Sequence, residues 1–191
     1  MWHTYVRPLR KSVCLLTRPI ETVADFAGMK IRSPGSAVND DFWKTVGAES
    51  GIVPLPQMYD ALKAGQFDGQ TDPLGVVHSL RLNEVQTYLS MTSHWWSGFT
   101  LLAHRPTWEA LPAHIQRIVS EAAARCAQAQ RAEIEAYNVA SETLLADAGM
   151  IVNQADTASF RAALGDFYGR WRERFTPASW HALEACADGL D

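Results

Sequence analysis

The chain has 191 residues, 47% of them hydrophobic and 20% charged, with 17 Lys and Arg against 21 Asp and Glu for a formal net charge of -4. That length supports one sizeable core or two small lobes, and the balance excludes both the basic excess of a nucleic-acid binder and the bias of a disordered chain. Cys14, Cys126 and Cys186 are odd in number, far apart and without metal spacing, which argues against a zinc site and against a disulfide framework while leaving a single Cys14–Cys186 bridge open.

No apolar run approaches the ~20 residues that a membrane helix needs. The opening MWHTYVRPLRKSVCLLTRPI lacks the charged-then-apolar order and the small-residue cleavage site of a signal peptide, so it reads as carrying no export address. ETVADFAG reads as a short helical start closed by Gly28, and MKIRS as a buried strand. After Pro34 and Gly35, Ser36 is placed to cap AVNDDFWKTVG, whose Val38, Phe42, Trp43 and Val46 fall at helical spacing before Gly47. GIVPL is the next strand. PQMYDALKAGQ opens with a proline suited to a first helical turn and ends near Gly65. FDGQTDPLG interrupts, LGVVHSLRLNEV resumes a helix, and TYLSMT and FTLLAHR read as strands on either side of SHWWSG. From AHIQRIVSEAAARC to SETLLADAG, the Ala, Gln, Glu and Arg content predicts a single helix. It is longer than the usual ~10–14 residues, is closed at Gly149, and bridges more than one packing unit. MIVN is a short strand, and two amphipathic helices, DTASFRAALGDFYGRWRERF and PASWHALEACADGL, finish the chain. Strands alternating with helices predict an α/β fold, a parallel or mixed sheet with helices on its faces.

Arg32 ends a short apolar run directly before a Pro-Gly turn, so a strand leaving the core delivers it to a rim or cleft, where it meets solvent, a structural carboxylate or a ligand. No GxSxG, HExxH, Walker loop or glycine-rich dinucleotide fingerprint is present, and the chain reads as a non-enzyme. The six histidines are scattered and read as surface or hydrogen-bonded structural groups, and Asp40-Asp41 and Glu133 with Glu135 as solvated helix faces. Trp95 and Trp96 are harder to assign to the core. Alternation along a strand sends one ring inward and the other outward, so one is expected to line a cavity, with a structural role for both as the alternative.

DFAGMKIRSPGS, VPLPQMYDALKAGQFDGQTDPLG, NEVQTYLSMTSHWWSGFTLLAHRPTWEALP and the long helix resemble, in order and spacing, the DctP-type solute-binding proteins of TRAP transporters. The resemblance runs over about residues 18 to 165 and implies a type II periplasmic-binding-protein fold, two α/β lobes closing on a ligand by hinge motion. It implies capture of a small organic acid for membrane permease subunits, a periplasmic location, no cofactor and no nucleic-acid partner. It also gives Arg32 the place of the arginine that clamps the ligand carboxylate, a task for which a planar guanidinium offers two parallel hydrogen bonds. Leu55 falls where the family often has an aromatic against the substrate. Asp72 falls where the family more often has Asn, and Thr71 where it has Glu. An Asn amide donates, whereas an ionised Asp only accepts and repels an anion unless a proton, an ammonium or a metal ion intervenes. The reading preferred here is that Asp72 accepts from a ligand hydroxyl; a cation bridging Asp72 and the ligand is the alternative.

Family members carry a signal peptide and a first lobe before the K-I-R block, and only twenty or so residues precede it here, with Arg10 or Lys11 near a second basic ligand contact. The resemblance therefore divides the chain into residues 1–97, the first part of the second lobe; 98–137, a strand and helix that would pack on the first lobe; and 138–191, the return to the second lobe. It implies an incomplete two-lobe fold that binds weakly and self-associates through the uncovered surface. A sensing or interaction module on the same lobe design, or a non-functional fragment, are the alternatives.

Overall fold

The computed structural model describes residues 4–9, 13–95 and 97–185. In chain order, β1 is Thr4–Leu9, β2 Val13–Leu16, β3 Lys30–Ser33, α1 Ala37–Thr45, β4 Glu49–Ile52, α2 Met58–Lys63, β5 Gly69–Asp72 and α3 Leu74–Ser79. There follow β6 (Tyr88–Met91), β7 (Ser97–Leu101), α4 (Arg105–Glu109), α5 (Ala113–Asp147), β8 (Ile151–Gln154), α6 (Thr157–Leu164), α7 (Phe167–Arg172) and α8 (Pro177–Glu184). A six-stranded sheet has the order β4-β3-β5-β2-β6-β8, while β1 and β7 form a separate antiparallel ribbon. Within the larger sheet β2 runs antiparallel to both neighbours and the other strands share one direction.

Every residue of β2 is buried, as a strand covered on both faces requires. Its alternation divides two cores. Cys14 and Leu16 join Ile31, Phe42, Trp43, Phe160 and Trp171 beneath α1, α6, α7 and α8. Val13 and Leu15 join Met58, Leu62, Val77, Leu89 and Leu145 beneath α2, α3 and the C-terminal end of α5. The α/β architecture with helices on both faces is therefore the one the sequence predicts. Ser36 caps α1 by accepting from the Asn39 amide, also as predicted.

Several elements differ from the sequence reading: β1, β2 and α4 were not expected, and the strand expected over FTLLAHR begins at Ser97 and ends at Leu101. FDGQTDPLG is no interruption, because β5 inside it lies between β3 and β2. Gly69 fits there for want of a side chain, since a Cβ would run into the Leu15 carbonyl and the Leu16 side chain. Asp68 just before it ties the strands together, accepting from the Lys30 amide through its side chain at 2.7 Å and from Thr17 through its backbone at 3.0 Å. β4 begins two residues before GIVPL and stops at Ile52, ahead of Pro54, which has no N–H for a ladder. The helix expected over LGVVHSLRLNEV ends at Ser79, and Arg81 then takes a left-handed conformation with φ 55°. DTASFRAALGDFYGRWRERF splits into α6 and α7 at Gly165, where φ is 50°.

α5 is 35 residues long and packs on both β1 and α3, so it bridges two units as its length predicts. Near α3 the approach is close: a Cβ on Gly75 would stand 2.7 Å from the Tyr137 ring. Toward its N-terminal end Ile118 and Val119 are exposed, as are Leu101 and Leu102 at the end of β7. No helix among the described residues is long and apolar enough to cross a membrane.

Candidate functional site

Parallel strands deliver their C-terminal ends to one edge of a sheet, where a crevice forms beside the strands. Here that edge carries Arg32 on β3, Asp72 on β5 and the segment that follows β6. Arg32 pairs in register with Gln70, and Asp72 with Val13, which sets Arg32, Gln70 and Asp72 on the face toward α2 and α3. Cys14 pairs with Thr71, which sets those two on the opposite face.

Arg32 is 3% exposed. Its Nε donates to the Val53 carbonyl at 2.9 Å, and its Nη1 donates to Asp72 Oδ2 at 3.4 Å. Nη2 has no hydrogen-bond partner among the described residues. The guanidinium is thus oriented by a backbone carbonyl and shielded by a carboxylate of the protein, the structural acid being one of the three partners the sequence leaves open for it. Burial draws the guanidinium below its ordinary range, with Asp72 opposing. Burial also pushes the Asp72 carboxyl up to about 6 against the pull of Arg32. Both partners respond alike: desolvation outweighs an attraction spread over a long contact. Beside this pair Gln70 is fully buried, with neither amide atom hydrogen bonded among the described residues.

The other face is neutral. His94 Nδ1 lies 2.7 Å from the Thr92 hydroxyl and Nε2 lies 3.2 Å from the Thr71 hydroxyl. The Thr92 hydroxyl donates to Cys14 Sγ at 3.5 Å, which leaves it to accept from Nδ1–H, so Nε2 accepts from Thr71. The imidazole stacks on Phe42 with centroids 5.2 Å apart and meets the edge of Trp43. That enclosure pushes His94 down to about 3 and the Cys14 thiol up to about 12. Cys14 is a free thiol, and Cys186 lies outside the described residues.

The two faces meet at a small cavity of about 60 Å³ lined by Pro34, Asn39, Thr71, Asp72, His94 and Trp95, with Phe42 and Trp43 behind. Trp95 closes one side, its ring edge-on to Phe42 at 6.1 Å. Of the residues singled out from sequence, the structure brings together Arg32, Asp72 and Trp95. Leu55, two residues beyond the Val53 carbonyl that Arg32 engages, is 45% exposed on a 3-10 turn over Leu55–Gln57 and, like Arg32, is absent from the cavity lining. Lys11 and Trp96 lie outside the described residues, as does Arg10. Thr92, Val53 and Gln70 were not singled out, and Thr71 was noted only as standing where the family has Glu. Thr71 and Gln70 stand in the quoted GQTD segment, but only the strand assignment reveals that they point to opposite faces. His94 is the hydrogen-bonded structural histidine the sequence reading allows. Asp40 and Asp41 are engaged instead of solvated: Asp40 accepts from Ser50, and Asp41 from the Trp171 indole at 2.8 Å. Among the described residues no group of three or more His, Cys, Asp and Glu could hold a metal ion.

The sequence model of the family described as bacterial extracellular solute-binding protein, family 7 (DctP) matches residues 11–174. A solute-binding protein of Roseobacter denitrificans is 33% identical over 149 residues, 78% of this chain and 46% of the relative. The C4-dicarboxylate-binding periplasmic protein DctP of Rhodobacter capsulatus is 26% identical over 83% of this chain and 46% of its own length. The chain thus spans about half the length of the curated relatives it matches. Among solved structures, a TRAP periplasmic solute-binding protein of Polaromonas bound to D-erythronate superposes with a TM-score of 0.83 at 28% identity. It is covered over 58% of its length, against 91% of this chain. One from Roseobacter denitrificans with bound L-galactonate gives 0.78 at 31% identity, over 84% of this chain and 55% of that one.

Proposed function

Because this chain belongs to the DctP family of bacterial extracellular solute-binding proteins, we propose that its sheet edge is one wall of a TRAP-type ligand cleft in which Arg32 clamps the carboxylate of a small hydroxylated organic acid. The observation that carries this reading is the guanidinium itself. It is buried at the C-terminal end of a parallel strand, held in orientation by the Val53 carbonyl, and keeps Nη2 unspent on the described residues. With Nε committed, the Nη1–Nη2 edge is the one left to face a ligand carboxylate, a fork that lysine cannot reproduce. Support for the ligand class comes from the D-erythronate and L-galactonate held by the two relatives, both carboxylates bearing hydroxyl groups. Asp72 is then the pocket carboxylate beside the ligand and Trp95 a wall of the cleft. Lys11, Trp96 and Leu55 belong to the reading on the family resemblance alone.

In this reading the ligand is handed to membrane permease subunits in the periplasm, and no step of catalysis is involved. Residues 98–137 present Leu101, Leu102, Ile118 and Val119, the surface on which the opposing lobe or a second copy of the chain packs. The described residues form one wall of a cleft that needs two, so by themselves they bind weakly, with a Kd on the order of millimolar, and associate in solution. A monodisperse monomer in light scattering that binds D-erythronate at about micromolar concentration would overturn that part.

The clamp is tested by titrating D-erythronate into the wild type and into Arg32→Lys. Loss of one arm of a charge-assisted fork is expected to weaken binding by about 1.5–3 kcal/mol although the charge is kept. Equal affinity in the two proteins removes Arg32 from the site and leaves it the structural partner of Asp72.

A further inference from the structure

The carboxylate nearest the guanidinium belongs to the protein. Asp72 is the last residue of β5, stands 3.4 Å from Arg32 Nη1, and lines the small cavity with only 18% of its side chain accessible. A ligand carboxylate that reaches Arg32 therefore arrives beside an existing one. Two ionised carboxylates sharing one guanidinium repel, and burial of the pair weakens solvent screening. A neutral Asp72 removes the repulsion and reverses the interaction, since its O–H donates to the incoming anion while its carbonyl oxygen still accepts from a ligand hydroxyl.

We propose that Asp72 takes up one proton from solvent when a carboxylate binds at Arg32, so that ligand capture is coupled to protonation of this residue. The inference rests on the clamp reading of Arg32 and adds the protonation state of its neighbour. The surroundings leave Asp72 as the group that titrates. Among the described residues Arg32 from β3 is the charged group that acts on it, and His94, across the cavity on the segment after β6, is held neutral between two threonines. The carboxylates of α1 are turned away, Asp40 to Ser50 and Asp41 to Trp171 and Arg170. Gln70, Thr71 and Asn39 carry no titrating group. Burial already raises the unliganded carboxyl to about 6, so a further rise on binding keeps it protonated at neutral pH.

The test uses the full chain with D-erythronate as probe. Affinity is measured by NMR titration between about pH 5 and about pH 8.5, and proton uptake by calorimetry in two buffers of different ionisation enthalpy. Wild-type affinity is expected to fall up to about tenfold per pH unit above about pH 6, with close to one proton taken up per ligand. Asp72→Asn, which donates without titrating, is expected to bind independently of pH and more tightly than the wild type at about pH 8. Carbon-13 carboxyl shifts of the wild type, with the Asp72 resonance assigned through its own backbone connectivities, should show a midpoint that rises when D-erythronate is added. That readout stands even if the variant folds poorly. Flat wild-type affinity, an unmoved midpoint, or uniform weakening in Asp72→Asn at every pH overturns the proton coupling, and Arg32→Lys still weakening the same ligand then leaves the clamp standing. Absence of binding at millimolar D-erythronate throughout overturns both.

Discussion

β5 separates two buried polar clusters that solve the same problem in opposite ways. On one face Arg32 and Asp72 keep their charges at a 3.4 Å separation, and the Gln70 amide beside them is unpaired. On the other, Thr71, His94, Thr92 and Cys14 form a chain of neutral donors and acceptors clasped between Phe42 and Trp43. Burying a polar group costs little when every lone pair and proton is matched, and much when it is not. The neutral cluster is therefore scaffolding, fixing the segment that carries Trp95. The charged cluster carries the proposed clamp, because its demand is unmet among the described residues.

Acid is the sharpest way to break that contrast, and its largest effect falls on the neutral face. His94 has its folded pKa depressed to about 3 from an ordinary value of 6.5. Its neutral form is the one that folding favours, so stability is full above about pH 6.5. Below that it is lost at up to about 1.4 kcal/mol per pH unit as the unfolded chain gains a proton the folded one refuses, to a ceiling of about 5 kcal/mol by about pH 3 that the partial exposure of the ring beside the cavities reduces. Chemical denaturation of the wild type should show this slope, and His94→Gln should flatten it. An equal slope in both proteins would mean that the ring is not the buried neutral group described above.

The charged face responds with the opposite sign. The folded pKa of Asp72 is raised from 3.8 to about 6, so its contribution is neutral below about pH 4, and stability falls as pH rises through about pH 4 to 6. The loss is on the order of 3 kcal/mol and persists at pH 7. Asp72→Asn keeps an acceptor for Arg32 and removes the ionisation, so it should be more stable than the wild type at about pH 7 and level with it near pH 4. If the variant is instead less stable at both, the ion pair holds the fold together and ionised Asp72 is a net asset.

Much of the frame behind these faces was legible in the sequence. MKIRS carries an apolar alternation that only a strand satisfies. Ser36 before AVNDDFWKTVG is a helix cap with an apolar stripe behind it, and the Ala-rich stretch to Gly149 can only be a long helix. β5 was not legible, since Gly69, Gln70, Thr71 and Asp72 have neither β-branched run nor hydrophobic alternation. The segment becomes a strand because its two neighbours pair with it and because Gly69 alone fits against Leu15. The site followed the same division. Arg32 announced itself by its position before a turn, but its carboxylate partner is 40 residues away and the contact between His94 and Cys14 spans 80, and no local pattern encodes either.

Gln70 offers the smallest and most discriminating comparison between the faces. It is completely buried, pairs in register with Arg32, and leaves both amide atoms without a partner among the described residues. An amide buried without hydrogen bonds forfeits the water it had in the unfolded chain, a cost of about 1–3 kcal/mol, whereas an unbranched apolar side chain of similar length fills the same space without that cost. Gln70→Met should therefore be neutral or stabilising by about 1 kcal/mol, measured by denaturant unfolding at about pH 7, while leaving the pH slopes of His94 and Asp72 unchanged. The matching change on the satisfied face, Thr71→Val, should cost about 1 kcal/mol, since it strips the His94 nitrogen of its donor. Should Gln70→Met instead destabilise by as much as Thr71→Val, the amide is engaged by ordered water reaching the Arg32 pair. The two faces would then differ in charge alone and not in how completely their polar groups are matched.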